Sequence, residues 1–246
     1  MLTRPGAGTC PSPVGDDAPW AHVAVLVPCR DEEQTVGQVV RAFAAALPGC
    51  RVHVCDNGSR DRTAAVAAQA GALVVHEPRP GKGRAVQRLL AVVDADAYLL
   101  VDGDGTYDAA AAPDLVRALA EQRGGMVVGA RVGRTAAALG RPGHRLGNAA
   151  VSRLVRWLCG GELTDVLSGY RALSRDLVEA LPLRAAGFDV EVELTARALL
   201  GRARCAEVAT AYAERPAGSV SKLRTWRDGS RVVVRLLVLR ARWPRC

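Results

Sequence analysis

Aromatic residues and long apolar runs are scarce in this sequence. Aromatic side chains make up 4% of the 246 residues and hydrophobic residues 49%, so the core must consist mainly of valine, leucine and alanine. A core of that composition suits a parallel sheet covered by helices. No apolar run reaches the roughly 18 residues that a membrane-spanning helix needs. The length fits one large α/β domain.

The cysteines do not have the spacing of a disulfide framework or of a structural zinc site. There are seven, an odd number, with no CxxC pair and no CxxC…HxxxH pattern. The expected setting is therefore a reducing cytoplasm, with or without peripheral contact with the cytoplasmic membrane face. Residues 1–21 are rich in proline and glycine but lack an apolar core, so we expect a disordered lead-in and not a signal peptide.

Acidic residues are outnumbered by basic ones, 25 against 33, which gives a formal net charge of +8. Such an excess favours an anionic partner, which could be phosphate groups, an acidic membrane face or nucleic acid. The simpler alternative is that the net charge has no function and only reflects a composition in which arginine replaces lysine. The small number of aromatic residues available for base stacking, together with acidic loop tips, argues against nucleic acid.

Through residues 22–131, short apolar runs alternate with segments of helical periodicity. This alternation predicts an α/β fold with a doubly wound, mostly parallel, Rossmann-like sheet and helices on both faces. Predicted strands cover residues 22–27, 52–55, 72–75, 98–101 and 126–128, and predicted helices cover residues 33–47, 63–70, 83–93 and 112–121.

Polar clusters directly follow four of the predicted strands. Ligands of a doubly wound sheet bind at the carboxyl ends of its strands. We therefore expect the four loops to converge on one edge of the sheet. These loops are residues 30–32, 56–61, 77–82 and 102–104.

Asp102 and Asp104 flank a glycine just after an apolar strand. From such a turn, both carboxylates can reach one hard cation. Mg²⁺ or Mn²⁺ bound in this way completes its coordination with substrate phosphates. The alternative is an acidic turn that binds nothing, and the pattern alone does not decide between the two.

Three other strand-end loops carry candidate ligand-binding residues. Asp56 ends the second strand, where its carboxylate could accept hydrogen bonds from a nucleobase, whereas Asp61 suits the cap of the next helix. Lys82 lies in a Gly-Lys-Gly helix start, where its charge, free backbone N–H groups and the helix dipole favour an anion. A solvated turn is the alternative. Arg131 adds a cation after the following strand.

After residue 131 the alternation gives way to Gly-rich loops and three amphipathic stretches, at residues 146–158, 190–200 and 223–243. We expect residues 132–246 to form the acceptor half of a single domain that spans residues 22–246. The last stretch is basic, so it is expected to pack on the sheet as a helix or to lie on an anionic membrane.

Further carboxylates and a basic loop lie in this second part of the chain. The loop from Arg215 to Lys222 could close over phosphate oxygens. Asp165, Glu191 and Glu193 are candidate acids or bases. Helical spacing does not put Glu191 and Glu193 on the same face, so only one of them is expected to point into a site.

These motifs share an order and spacing with a known family. They are Val27–Glu32 (VPCRDE), Asp56–Thr63 (DNGSRDRT), Gly81–Gly83 (GKG), Asp102–Asp104 (DGD), Gly129–Arg131 (GAR), Ser168–Arg171 (SGYR), Glu191–Leu194 (EVEL) and Gly218–Leu223 (GSVSKL). The series resembles the inverting GT-A glycosyltransferases of the family 2 type, which include dolichol-phosphate mannose synthase and bacterial polyprenyl-phosphate glycosyltransferases. Residues 22–131 resemble the nucleotide-sugar-binding half.

The resemblance implies a GT-A fold and a role for each matching residue. Asp102 and Asp104 would bind a divalent cation, Mg²⁺ or Mn²⁺, and through it Asp104 would take part in catalysis. Two residues depart from the family pattern: Arg30 replaces an asparagine and Asn57 replaces an acidic residue. The nucleotide-sugar would be bound by Pro28, Glu32, Asp56, Lys82, Asp102, Arg131, Arg215, Ser221 and Lys222.

The resemblance also implies transfer from a UDP-, GDP- or TDP-sugar. A polyprenyl phosphate acceptor is already an anion and needs no general base. A hydroxyl acceptor would need a carboxylate to take its proton, and the candidates are Asp165, Glu191 and Glu193. The basic loop and C-terminal helix favour the lipid phosphate. A sugar nucleotidyltransferase, expected to have a Gly-rich loop after the first strand, and a non-catalytic anion-binding module are the other functions considered.

Overall fold

The computed structural model describes residues 19–132, 142–215 and 225–243. Within these ranges, seven strands form one sheet in the order β3-β2-β1-β4-β6-β5-β7. The strands are β1 (Val23–Cys29), β2 (Arg51–Asp56), β3 (Leu73–His76), β4 (Ala97–Leu100), β5 (Met126–Val132), β6 (Arg171–Ser174) and β7 (Cys205–Ala211).

Eight α-helices and one short 3₁₀ helix, Ala109–Ala111, connect the strands within the same ranges. The α-helices are α1 (Val36–Ala46), α2 (Thr63–Gln69), α3 (Lys82–Val92), α4 (Ala112–Glu121), α5 (Pro142–Cys159), α6 (Arg175–Ala180), α7 (Val190–Leu200) and α8 (Thr225–Arg242). Every strand and helix predicted for residues 22–131 overlaps an observed one, and the three later amphipathic stretches are helices. The α/β, mostly parallel architecture is confirmed.

Side chains alternate between two apolar layers along each strand. In β1, Val23, Val25 and Val27 pack on one face, and Ala24 and Leu26 pack on the other. Helices α1, α2 and α4 cover the first face, and α3, α5, α6, α7 and α8 cover the second. Burial of each large aliphatic side chain contributes roughly 1.5–3 kcal/mol before chain entropy is subtracted. Because both faces are covered, the central strands are continuous apolar runs.

The register of the parallel strands brings their polar ends together. Cys29 in β1 lies opposite Asp56 in β2, and Asp56 lies opposite His76 in β3. Strand β4 runs parallel to β1 on its other side. The loops after these strands therefore leave the sheet at one edge, as predicted.

Strand β6 runs antiparallel between β4 and β5. Its first residue, Arg171, lies opposite Leu100 in β4 and Val128 in β5, so the loop before β6 lies at the edge where β4 ends, beside the C-terminal part of β5. The sequence did not predict β6 or β7. The first is only four residues long and begins with an arginine, and the second is a partly exposed edge strand without a clear apolar run.

The described residues can be compared with two expectations from the sequence, one about membrane-spanning helices and one about disulfides. Among the described helices, none has the length and apolar character needed to cross a bilayer. The cysteines in the described ranges carry free thiols; they are Cys29, Cys50, Cys55, Cys159 and Cys205.

Candidate active site

The two aspartates after β4 each contact a cationic side chain. The Asp102 carboxylate lies 2.5 Å from Nζ of Lys82. The buried Asp104 carboxylate accepts hydrogen bonds through Oδ1 from the backbone N–H (3.1 Å) and the hydroxyl (2.6 Å) of Thr106, while Oδ2 lies 2.6 Å from Nη2 of Arg215. One oxygen of Asp104 therefore fixes the turn, and the other faces a counter-ion.

Lys82 bridges two carboxylates from different parts of the chain. Its side chain is 12% exposed, and Nζ lies 2.5 Å from Oδ1 of Asp102 and 2.5 Å from Oε1 of Glu191. Burial acts to lower the pKa of Lys82, but the charges of Asp102 and Glu191 outweigh it and hold the pKa above its usual value. Lys82 is therefore a permanent cation at the sheet edge.

Glu191 lies in the first turn of α7 and is buried against this cation. Burial raises the pKa of Glu191; the charge of Lys82 opposes that rise and the charge of Asp102 adds to it. Of the carboxylates considered as general bases, Glu191 is the one that shares a cation, Lys82, with Asp102.

Glu193 points elsewhere, as the helical spacing predicted for one of the pair. Its Oε2 accepts the backbone N–H groups of Arg184 (2.9 Å) and Ala185 (2.5 Å), and its Oε1 accepts Nε of Arg197 at 2.9 Å. The side chain is completely buried. The first two hydrogen bonds tie α7 to the preceding loop and the third lies within α7, so the geometry gives Glu193 a structural position and not one at the site.

Asp165 forms a bidentate ion pair with Arg131. Oδ1 accepts Nη2 and Oδ2 accepts Nε of Arg131, both at 2.7 Å, and Asn148 of α5 donates to Oδ1 at 2.9 Å. Burial acts to raise the pKa of Asp165, but the hydrogen bonds and charge of Arg131, with the Asn148 amide, hold the pKa below its usual value. A carboxylate bound in this way is a poor proton acceptor, and its effect is to position Arg131 over the ring of Tyr212.

Gly169, in the loop before β6, packs directly against Asp102. A Cβ atom at this position would lie 2.5 Å from Oδ2 of Asp102, so a larger residue would displace the carboxylate. The N–H of Gly169 donates to the Tyr107 hydroxyl at 2.8 Å, which fixes the approach. The Ser-Gly-Tyr-Arg segment is recognisable as a motif in the sequence, but only the fold shows what its glycine touches.

Asn57, the residue of the loop after β2 that departs from the family pattern, has a structural role. Nδ2 of Asn57 donates to the carbonyl groups of Glu77 (2.9 Å) and Arg79 (2.8 Å), while Oδ1 accepts the N–H of Gly81 at 2.7 Å. An aspartate could not supply those donors. Asp56 beside it accepts the Ser59 N–H at 3.2 Å.

Two backbone N–H groups at the start of α3 already have hydrogen-bond acceptors within the protein. The N–H of Gly81 bonds to the Asn57 side chain, and that of Gly83 bonds to the carbonyl of Gly187 at 3.1 Å. The expectation of free backbone donors at these two glycines is therefore wrong, because the chain around residue 187 packs on them. The Lys82 side chain remains as the cationic group.

Two further predicted residues lie beside these groups, and two fall outside the described ranges. Oε1 of Glu32 lies 4.0 Å from Nη1 of Arg215, so this arginine connects the loop after β1 with Asp104. Pro28 lies in β1 opposite Cys55. Ser221 and Lys222 belong to residues 216–224, which the structure does not describe. Asp61 accepts the N–H groups of Glu33 and Thr63, which fits its expected place at the start of α2.

The family assignment rests on a match along the strands that carry this edge. The sequence model "Glycosyl transferase family 2" matches residues 24–181, from β1 to the end of α6. The chain belongs to glycosyl transferase family 2. The match includes Asp56, Lys82 and both aspartates after β4, whereas Glu191 and Arg215 lie beyond it.

Relatives extend the similarity to the second part of this family 2 chain. Glycosyltransferase AglJ of Haloferax volcanii is 33% identical over 225 residues, which is 87% of this chain and 70% of the relative. A dolichyl-phosphate hexose transferase of the same organism is 30% identical over 193 residues, which is 78% of this chain and 83% of the relative.

A solved structure shows the same architecture. Glucosyl-3-phosphoglycerate synthase from Mycobacterium tuberculosis, in complex with Mn²⁺, uridine diphosphate and phosphoglyceric acid, superposes with a TM-score of 0.68. It is 28% identical, and the alignment covers 91% of this chain and 79% of the synthase. The enzyme class and the GT-A fold implied by the sequence motifs are therefore confirmed.

Proposed function

We propose that this chain is a metal-dependent glycosyltransferase that moves a sugar from a nucleoside diphosphate sugar to a polyprenyl phosphate. The observation that carries the proposal is the pair Asp102 and Asp104 at the end of β4, each within 2.6 Å of a cationic side chain. Carboxylates beside cations support the proposal, because a metal ion takes hard oxygen ligands and a diphosphate takes positively charged partners.

The residues present fit a divalent cation. Asp102 and Asp104 offer hard oxygen ligands from one tight turn, and in the described part of the chain no group of three or more ligating side chains could enclose a metal alone. Mg²⁺ and Mn²⁺ with few protein ligands take the others from phosphate and water. A bound cation would offset negative charge on the leaving diphosphate. The Mn²⁺–uridine diphosphate complex of the solved synthase supports this role.

The chain's own residues would position the donor. Lys82 and Arg215 are cations beside the aspartates, so they are suited to phosphate oxygens. Asp56 ends β2 at the edge where a nucleobase would bind, and its two oxygens contact the Ser59 N–H and Nδ1 of His76. Glu32 lies next to Arg215 and would set the position of that guanidinium.

Polyprenyl phosphate is favoured as acceptor because its oxygen is already ionised. That oxygen would attack the anomeric carbon of the sugar while the bond from this carbon to the diphosphate oxygen breaks, and the electron pair would leave on the nucleoside diphosphate. No proton has to be removed. Asp165 and Glu193 are held by hydrogen bonds, and Glu191 is paired with Lys82, which agrees with a reaction that needs no base. The dolichyl-phosphate hexose transferase relative also supports this acceptor.

A hydroxyl acceptor is the second candidate, because the solved synthase is bound to phosphoglyceric acid, a molecule with a hydroxyl group. In that case a carboxylate would have to take the hydroxyl proton. Glu191 is the candidate, since burial raises its pKa and it lies at the site edge.

The donor is tested by thermal denaturation with UDP-, GDP- and TDP-sugars, each with Mn²⁺ and with excess chelator. A binder present at about 100 times its Kd adds about 2.7 kcal/mol of stability, so the right nucleotide should stand out. We expect one nucleotide to raise Tm only with the metal. Equal, metal-independent shifts from all of them would contradict a metal-dependent donor site.

The acceptor is tested by following sugar transfer to a short-chain polyprenyl phosphate and to phosphoglyceric acid. We expect product with the lipid phosphate, and we expect Glu191→Gln to keep most of that activity. Transfer to the hydroxyl acceptor alone, abolished by Glu191→Gln, would replace the first proposal with the second.

A further inference from the structure

Apart from Arg235, residues 232–239 of α8 are apolar on both faces. Val232, Leu236 and Leu239 are buried against the core. Val233, Val234, Leu237 and Val238 point outward and are 38–60% exposed. A helix that is apolar all round is normally enclosed. The outward face of α8 is therefore expected to meet something other than water.

The neighbouring helix α5 presents an aromatic and basic face. Trp157 is 80% exposed, the largest exposure among the hydrophobic side chains described, and Arg153 and Arg156 are exposed beside it. Helices α5 and α8 pack against each other. Tryptophan and arginine beside exposed aliphatic residues are the composition found at the boundary between water and a bilayer.

Basic charge is concentrated in these two helices. The sequence of α5 contains three arginines and no acidic residue, and that of α8 contains five arginines and one aspartate. By contrast, α4 contains one arginine and two acidic residues. The surface formed by α5 and α8 is therefore suited to a negatively charged partner.

The same two helices reach the candidate active site with their inner residues. Asn148 of α5 donates to Asp165, the partner of Arg131. Arg235 of α8 pairs with Asp189 at 3.0 Å, two residues before Glu191. A partner bound to the outside of α5 and α8 would thus lie beside the second part of the site.

We propose that the outward faces of α5 and α8 dock the protein on an anionic lipid bilayer. We call this the α5/α8 surface: Arg153, Arg156 and Trp157 of α5 with Val234, Leu237 and Val238 of α8. The aliphatic and indole side chains enter the boundary of the acyl chains, and the arginines bind lipid phosphates. A second copy fits less well, because it would bring two rows of arginines together. The inference rests on the exposed residues and does not depend on the acceptor of the proposed reaction.

The test is co-sedimentation of the full chain with vesicles of phosphatidylcholine, alone or with phosphatidylglycerol, without nucleotide, metal or acceptor. We expect binding only to vesicles that contain phosphatidylglycerol. Val234→Glu with Leu237→Glu should weaken binding by about tenfold or more. The matched control is Leu73→Glu with Val92→Glu, two exposed aliphatics on β3 and α3, which should bind as the wild type does.

Two further pairs of variants make the result specific to this surface. Arg153→Ser with Arg156→Ser should reduce binding by about tenfold, whereas Arg41→Ser with Arg117→Ser, exposed arginines of α1 and α4, should not. Trp157→Phe should reduce the vesicle-induced blue shift of tryptophan fluorescence, and Trp20→Phe should keep it.

Circular dichroism checks that each variant is folded. If the glutamate variant does not fold, the arginine and tryptophan variants test the proposal instead. The proposal is overturned if the wild type does not bind anionic vesicles, or if the control variants lose as much binding as the α5/α8 variants do. It is also overturned if light scattering shows a dimer that Val234→Glu with Leu237→Glu dissociates, which would make the face a contact between copies. Because no transfer is measured, loss of the docking proposal leaves the proposed reaction standing.

Discussion

Residues 22–131 and residues 132–246 build their shares of the site in different ways. In the first part, each polar side chain follows a parallel strand, so chain order already places it at the sheet edge. In the second part, the site residues come from the loop before the antiparallel strand β6, from the first turn of α7 and, for Arg215, from the segment after β7. Where parallel strands and helices alternate regularly, the position of a site residue can be predicted from the sequence. Where that alternation is interrupted, it cannot.

The ion pairs of the site join the two parts. Asp104 contacts Arg215, Lys82 contacts Glu191, and Arg131 contacts Asp165. In each pair the first partner lies before residue 132 and the second after it. The first part therefore supplies the proposed metal ligands, and the second supplies the ion-pair partners of Asp104, Lys82 and Arg131.

Loss of a proposed metal ligand in the first part should have the largest effect. In Asp104→Asn, Oδ1 can still accept from Thr106, but the negative charge needed for a cation is gone. We expect sugar transfer to fall by about ten-thousandfold or more with little change in the circular dichroism spectrum.

The matched control is Asp114→Asn, an exposed carboxylate in α4, which should transfer normally. Full transfer by Asp104→Asn, or by the wild type in excess chelator, would remove the metal from the proposal. It would also show that the strand-end aspartates are no more functional than the other acidic turns.

The contact between the two parts should give the next largest effect. Lys82→Met leaves Asp102 and Glu191 facing each other without a cation, so we expect the free energy of unfolding to fall by about 3 kcal/mol. Adding Glu191→Gln should restore about 1–2 kcal/mol of that loss. Urea denaturation of the two single variants and the double variant measures this coupling.

A surface cycle provides the comparison for that coupling. Arg175 pairs with Asp94 on the surface, and Arg175→Met with Asp94→Asn should give a coupling of about 0–1 kcal/mol. An equally small coupling at Lys82 and Glu191 would mean that the two parts of the chain are not energetically joined there.

The smallest predicted effect concerns acid stability of the first part. Burial, with the charge of Arg51, lowers the pKa of His53 in β2 to about 4. Between that value and the usual pKa of about 6.5, the unfolded chain takes up a proton that the folded chain does not, so stability falls as pH falls through this window. His53→Gln should reduce the loss of unfolding free energy between pH 7 and pH 5 by about 1–2 kcal/mol.

The control is His22→Gln, at an exposed histidine before β1; the reduced loss of stability is expected of His53→Gln and not of this variant. If His53→Gln and the wild type lose stability in parallel, then His53 is not kept neutral by the sheet. The acid sensitivity of the first part would then have to come from its carboxylates.

Much of the fold and the proposed metal pair could be predicted from sequence for local reasons. Strands β1 and β4 are apolar runs, and the residues that follow them leave the sheet at an edge fixed by parallel pairing. Asn57 shows the limit of such reasoning. From the sequence it was only a departure from the family pattern, whereas in the structure its amide group makes three hydrogen bonds that hold the loops together.

The sequence by itself determined the alternating elements, the family and the position of Asp102 and Asp104, because these depend on periodicity and on neighbours in the chain. Only the tertiary structure decided that Glu191 and not Glu193 meets Lys82, that Asp165 is held by Arg131, and that Gly169 must be small beside Asp102. Those contacts join residues far apart in the chain. Their geometry depends on how β6 and α7 pack, and no local pattern encodes that packing.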